Sequence, residues 1–287
     1  MTEPVIAFVN GKSERLKDVE QAVRDVGGID LRVVEPDRLA AEMLEAIDAG
    51  ARRLIAAGGD GTIASAANVA VKRGIELGII PAGTLNHFAK YVKLPEDLTE
   101  AVRVARDAPA RPVDVAECCG RIFLNTSSVG AYANFVNRRE SYEKKLGYYL
   151  ATLVAAIVTF ARLRPFVLRV EVGGVTKKYV TPLVFIGVGE REMKLPSMGA
   201  RVEGGQPGLH VMIISGRARL GYLAVAFAAA SRGIWAAART PHLDSFIVGK
   251  CTIEQRHDTL ALDGEIVRMP SPLEYAHRSA ALLVAGA

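Results

Sequence analysis

Apolar positions in the first third of the chain come in short unbroken runs, and further on they alternate with polar ones. Val5–Val9, Leu31–Val34, Leu54–Ala57 and Leu77–Ile80 read as strands. Between and after them, about Glu14–Val26, Arg38–Ala49, Thr62–Lys72 and Glu96–Arg106 read as helices. Strands alternating with helices at this spacing predict a parallel sheet covered on both faces, with right-handed connections. Ligands of such sheets bind beyond the carboxyl ends of the strands. This part closes near Pro109–Pro112.

From Val113 the grammar changes. Val113–Glu117, Ile122–Ser128, Phe166–Val172, Lys178–Val188, Leu209–Ile214, Phe246–Glu254 and Thr259–Leu262 read as strands, with Gly173-Gly174 as a hairpin signal. Two helices interrupt them, Lys145–Leu163 and about Arg219–Ala238. In the first, Leu146, Leu150, Leu153, Ile157 and Phe160 fall at helical spacing within an uncharged run, Leu146–Ala161, flanked by Lys144, Lys145, Arg162 and Arg164. That run is shorter than the roughly 18–20 residues of a spanning helix. It reads as a core helix, with an acyl-chain or membrane-surface contact as the alternative. The pattern thus predicts two domains, α/β over 1–112 and β-rich over 113–279, with a cleft between them where small-molecule sites are favoured.

Composition narrows the classes. At 287 residues, 50% hydrophobic and 23% charged, the chain has ample material for a core. A net charge of +5 suits an anionic substrate or a membrane surface. With no aromatic-interleaved basic stripe, nucleic acid is not expected as a partner. Cys118, Cys119 and Cys251 make no disulfide framework and no zinc spacing, which fits a reducing cytosol. Met1-Thr2-Glu3-Pro4 lacks the basic start of a signal peptide.

Three stretches carry chemistry. The apolar run Leu54–Ala57 meets Gly58-Gly59-Asp60-Gly61, and a small-residue helix follows from Thr62. Strand, glycine turn and helix present free backbone N–H groups to an anion, and the glycines let a phosphate approach. Asp60 beside a phosphate calls for an intervening cation such as Mg²⁺, or for a proton-relay role. The plainer alternative is a turn in which Asp60 caps the helix. No Gly-Lys-Ser/Thr ends the loop, so it is not a Walker loop, nor is it a GxGxxG fingerprint.

The second stretch, Pro81-Ala82-Gly83-Thr84-Leu85-Asn86-His87-Phe88-Ala89-Lys90, allows a tight turn at Gly83 and a cap from Thr84 or Asn86. It is either a second anion-facing loop or a capped turn without ligand, with His87 a surface or packing residue. Asn10, Gly58-Gly59-Asp60 and Pro81-Ala82-Gly83 fall at one sheet edge. The third stretch, Leu262-Asp263-Gly264-Glu265, alone reads as a β-turn. Facing the cleft, one of its carboxylates would accept a hydroxyl proton while the other orients it or binds metal.

Taken together, Gly58-Gly59-Asp60-Gly61-Thr62 and Pro81-Ala82-Gly83-Thr84-Leu85-Asn86-His87-Phe88-Ala89 resemble the GGDGT and PxGTxNxFA motifs of the bacterial diacylglycerol kinase-like lipid kinases, within the NAD kinase/diacylglycerol kinase-like superfamily. Asn125-Thr126-Ser127-Ser128-Val129-Gly130 resembles the signature opening that family's second domain, and Asp263-Gly264-Glu265 its late DGE. The resemblance implies a nucleotide-binding α/β domain, completed by about 280–287, joined to a β-sandwich-like domain. It implies ATP as donor, Mg²⁺, and a membrane-borne alcohol as acceptor. Carried onto this sequence, Asn10, Gly58, Gly59, Gly61, Thr62, Gly83, Thr84 and Asn86 hold the nucleotide, Asp60 serves the phosphates through Mg²⁺, and Asp263 is the leading base with Glu265 its partner.

Three stretches depart from the family pattern. Asn10-Gly11-Lys12-Ser13-Glu14 stands for Asn-Pro-x-Ser-Gly, and Glu35-Pro36-Asp37-Arg38 for a Thr…Gly-Asp-Ala turn, which bears on adenine or ribose contacts. Val202-Glu203-Gly204-Gly205-Gln206-Pro207-Gly208 stands for an Asp-Asp-Gly segment linked to a structural Mg²⁺, so no such acidic metal site is expected. The expected activity is phosphorylation of a diacylglycerol- or sphingoid-like lipid by a cytoplasmic protein, peripheral to the inner face of the membrane and a possible homodimer. The alternatives are a soluble acceptor, NAD-like or a polyol, and a nucleotide- or lipid-binding regulator without catalysis.

Overall fold

The computed structural model describes residues 5–130, 165–192, 200–215 and 243–287. The helices expected at Lys145–Leu163 and Arg219–Ala238 lie outside them. The chain forms two compact units, Met1–Val115 with Arg278–Ala287, and Ala116–His277.

In the first unit, β1 (Val5–Asn10), β2 (Ile29–Val34), β3 (Arg53–Gly58) and β4 (Glu76–Pro81) form a parallel sheet in the order β2-β1-β3-β4. Helices α1 (Leu16–Val26), α2 (Leu39–Asp48), α3 (Asp60–Arg73), α4 (His87–Tyr91) and α5 (Leu98–Asp107) connect and cover it. Because both sheet faces are covered, the strands carry continuous apolar runs, and Ala7–Val9 and Leu54–Ala57 are fully buried. Alternate residues serve opposite faces. Ala7, Val9, Ile55, Ala57 and Ile80 pack with Val19 and Val23 of α1 and with Leu98 and Val102 of α5. α5 comes so close to β4 that a Cβ on Gly78 would lie 2.6 Å from the Ala105 carbonyl oxygen. Asp97 caps α5 by accepting the Glu100 N–H at 2.9 Å.

In the second unit the strands are antiparallel. They are β5 (Ala110–Cys118, which begins in the first unit), β6 (Arg121–Phe123), β7 (Thr126–Gly130), β8 (Phe166–Val172), β9 (Val175–Thr181), β10 (Leu183–Val188), β11 (Leu209–Ile214), β12 (Leu243–Val248), β13 (Lys250–Glu254), β14 (Thr259–Leu262), β15 (Glu265–Arg268) and β16 (Leu273–Ala285). One sheet runs β12-β11-β10-β7-β14-β15, and in the other β16, β13, β8 and β9 are successive neighbours. Val129, Val184, Ile186 and Val211 of the first sheet share one core with Leu168, Val170, Ile253 and Tyr275 of the second. This is the β-rich second part that the sequence pattern predicts, built as a sandwich.

Four details correct the sequence reading. Lys178–Val188 is two strands in different sheets, broken at Pro182, which has no N–H for a ladder. Phe246–Glu254 likewise changes sheet at Gly249. Ile122–Ser128 breaks at Leu124 and Asn125, whose N–H groups turn to a side chain instead of a strand. Finally the pattern missed β15, which is four residues long with charged ends, and β16, whose apolar end Ala280–Ala285 follows a half broken by Glu274, His277 and Arg278. The first residues of β16 pair with β13, as in Cys251↔Tyr275, and Leu283 and Val284 run parallel to β4 in the first unit. Among the described residues no helix is long and apolar enough to cross a membrane.

Candidate active site

In the first unit the carboxyl ends of β1, β3 and β4 carry three loops that touch. Asn10 ends β1, and its Nδ2 donates to Thr62 Oγ1 at 3.4 Å. Ser13 Oγ donates to the Ala82 carbonyl at 3.3 Å, tying the first loop to the third. A Cβ on Gly58 would lie 2.6 Å from Thr62, and one on Gly83 would lie 2.4 Å from the Cα of Gly59. The β3–α3 and β4–α4 turns therefore meet backbone to backbone.

Helix α3 starts two residues earlier than its apolar pattern suggests. Gly59 is its N-cap and offers no side chain, so the helix opens on uncapped first-turn N–H groups at Asp60, Gly61 and Thr62. Asp60, half-buried in that first turn, places its carboxylate at the positive end of the helix. Its Oδ1 accepts the Phe88 N–H at 3.4 Å, which joins α3 to α4. The plainer alternative, Asp60 as a cap, does not hold, because it lies inside the helix.

Asn86 occupies the N-cap position of α4 but makes no side-chain cap. Its φ of 51° is left-handed, and its amide turns back on the loop. Oδ1 accepts the Gly83 N–H at 3.0 Å and Nδ2 donates to the Gly83 carbonyl at 2.8 Å. The asparagine thus fixes the turn, leaving Thr84 and His87 exposed beside it. A cavity of about 210 Å³ opens here, lined in part by Arg15, Gly83, Thr84, Asn86 and Lys90. Of the residues read from sequence, Asn10, Gly58, Gly59, Asp60, Gly61, Thr62, Gly83, Thr84 and Asn86 are gathered at this sheet edge.

Asp263 and Glu265 belong to the second unit. Asp263 and Gly264 both take positive φ, 48° and 88°, in the two-residue turn joining β14 to β15. The Asp263 carboxylate accepts three backbone N–H groups. Those of Asn125 and Thr126 reach Oδ1 at 2.7 and 3.0 Å, and that of Leu124 reaches Oδ2 at 2.7 Å. Burial pushes the carboxyl above its usual range, and the three N–H groups and the Arg191 cation oppose that rise. Glu265 is exposed and forms an ion pair with Arg121 at 2.9 Å.

Arg191, which sequence reasoning passed over, is 4% exposed. It lies against Gly187, where a Cβ would meet its Cγ at 2.4 Å, and its Nη2 donates to the Asn125 carbonyl. The one signal in the sequence was indirect: an arginine three residues past an apolar strand, with a buried histidine, His210, on the neighbouring one.

Comparison with known proteins bears on this sheet edge directly. Residues 4–118, which contain all three loops, match the diacylglycerol kinase catalytic domain. That match takes in the part of the chain that builds the three loops, less than half of its length. A protein of Chromohalobacter salexigens named "Probable lipid kinase YegS-like" is 38% identical over 151 residues, 48% of this chain and 48% of that protein. One of the same name in Klebsiella pneumoniae is 30% identical over 193 residues, 64% of each chain. The chain spans about half the length of the first of these curated relatives. In structure, a diacylglycerol kinase from Bacillus anthracis superposes with a TM-score of 0.66 at 17% identity, covering 99% of this chain and 96% of that one. A second chain from that organism reaches 0.73 at 20% identity, covering 99% and 97%. At such identities the likeness is one of fold, and it extends over both units of the chain.

Proposed function

We propose that this protein is an ATP-dependent lipid kinase, transferring the γ-phosphoryl group to a hydroxyl of a diacylglycerol- or sphingoid-like lipid at a membrane surface. The observation that carries the reading is the meeting of Gly59 and Gly83 beneath the open end of α3, inside the matched catalytic domain. A side chain at Gly83 would run into the Gly59 backbone and part the two loops that frame the uncapped N–H groups of α3, where a polyphosphate would approach.

The residues present fit the nucleotide and its metal. Uncapped N–H groups at Asp60, Gly61 and Thr62 suit phosphate oxygens. Asn10 and Asn86 stiffen the flanking loops through Thr62 and Gly83. Asp60 is the hard oxygen donor for Mg²⁺, which supplies charge neutralisation when bound. The protein's own share of catalysis is positioning and fixed charge.

Asp263 serves as the base. Its Oδ1 is saturated by two N–H groups and its Oδ2 takes one, so Oδ2 keeps a lone pair for a hydroxyl proton. The lipid oxygen bonds to the γ-phosphorus as its proton passes to Oδ2, and ADP leaves with the electrons of the broken P–O bond. Glu265 steadies the turn through Arg121.

The test is phosphate transfer from radiolabelled ATP to lipids in mixed micelles. A labelled lipid that vanishes with Asp60→Ala supports the reading. Transfer that needs no micelle, onto a soluble alcohol, would replace the lipid by a soluble acceptor. ATP binding without any transfer would make the chain a regulator.

A further inference from the structure

Arg191 is buried in the second unit at a cost, since a guanidinium leaves water only where something compensates it. One group that compensates it is the Asn125 carbonyl. That oxygen accepts Arg191 Nη2 and also the Val188 N–H at 3.0 Å. On the other side of the same residue, the Asn125 N–H donates to Asp263 Oδ1 at 2.7 Å. One peptide residue therefore links the cation to the carboxylate.

The arginine is itself held from two sides. Its backbone N–H donates to His210 Nδ1 at 2.9 Å, and His210 Nε2 meets Ser245 Oγ at 2.8 Å. Its side chain lies flat on Gly187, where no other residue type leaves room. β10, β11 and β12 thus combine to aim one positive charge at the segment that cradles Asp263.

We propose that Arg191 is a positioning residue for Asp263: fixed on the Asn125 carbonyl, it keeps the three N–H groups of 124–126 on the carboxylate and holds that carboxylate in its anionic, proton-accepting form. This rests on the reading of Asp263 as base. Among the described residues, the groups that act on Asp263 are the N–H groups of Leu124, Asn125 and Thr126 and the Arg191 cation, while Glu190 and Arg191 act on His210. Burial works against the anion, the three dipoles and Arg191 work for it, and among the described residues Arg191 is the full charge that acts on that side. Removing it makes the carboxyl easier to protonate, so the acid limb of the rate profile moves to higher pH.

The experiment compares the full-length protein with Arg191→Met, which keeps length without charge, and Arg191→Lys, which keeps charge without the planar fork. Two readouts are taken: kcat for phosphate transfer against pH, and the titration of the Asp263 carboxyl by NMR of aspartate-labelled protein, its signal identified with Asp263→Asn. With Arg191→Met the acid limb and the carboxyl titration both move to higher pH. At the acid end kcat falls about tenfold while KM for ATP stays constant. Arg191→Lys recovers most of that shift. Coincident profiles and titrations in wild type and Arg191→Met would overturn the proposal and leave Arg191 as packing. Should Arg191→Met not fold, a lysine variant whose carboxyl titrates about one pH unit or more above wild type would overturn it equally, because the charge would not be what matters. If wild type transfers no phosphate, the kinase reading fails, and the carboxyl titration still decides the role of Arg191.

Discussion

Gly59 and Gly83, twenty-four positions apart in sequence, approach until a Cβ on Gly83 would stand 2.4 Å from the Cα of Gly59. The obstacle is backbone, so no side-chain rotation relieves it. Gly83→Ala should therefore part the two loops, lowering unfolding stability by about 1–3 kcal/mol and weakening ATP binding at least tenfold. Gly249→Ala, with nothing within 4 Å of the added carbon, is the control and should change stability by no more than about 0.5 kcal/mol. Denaturant melts and an ATP titration on the pair decide it; equal behaviour would mean that the loops part freely.

Asn86 combines a left-handed backbone with two hydrogen bonds to Gly83. Asn86→Gly keeps the backbone and loses the bonds, whereas Asn86→Ala loses both. The alanine variant should be the less stable of the two by about 1 kcal/mol, and both should bind ATP more weakly than wild type. An alanine variant as stable as glycine would show that the turn does not depend on that dihedral.

The three loops could be found in the sequence because each is local: a strand, its glycines and the next helix are contiguous. The covered parallel strands were equally plain, since burial on both faces leaves unbroken apolar runs such as Leu54–Ala57. What the sequence hid is what closes over distance. The clasp of Asp263 on Leu124–Thr126 spans more than 130 positions, and Asp263-Gly264-Glu265 alone reads as a turn, which it also is. Sheet-switching at Pro182 and Gly249 was hidden for another reason: the apolar alternation continues through both corners. Arg191 went unread because nothing in its neighbourhood in sequence names Asn125.

His210 is fully buried and neutral, accepting the Arg191 N–H at Nδ1 and donating from Nε2 to Ser245. Burial, with Arg191 adding to it and Glu190 opposing, holds its pKa below the usual histidine range. A depressed folded-state pKa gives stability that is present above the unfolded value, about 6.5, and is lost as pH falls below it. The melting temperature should therefore drop on going from pH 7 to pH 5, and His210→Gln should flatten that drop while lowering stability at pH 7. An undiminished drop in the variant would assign the acid sensitivity elsewhere.

The three cysteines should differ in reactivity. Cys119 is exposed, whereas burial pushes Cys251 up to about 12 and Cys118 higher still. In native protein at pH 8 one thiol should react with a disulfide reagent, and Cys119→Ser should abolish that reaction. Rapid reaction of a second thiol before unfolding would contradict the burial of Cys118 and Cys251.

The central claim is phosphate transfer to a lipid by the sheet edge around Asp60, and radiolabelled ATP with total lipid extract in mixed micelles tests it most directly. Wild type should yield a labelled lipid, and Asp60→Ala should yield none while retaining the native melting profile. Equal labelling by Asp60→Ala, or no labelled lipid from a wild type that binds ATP, would contradict the account.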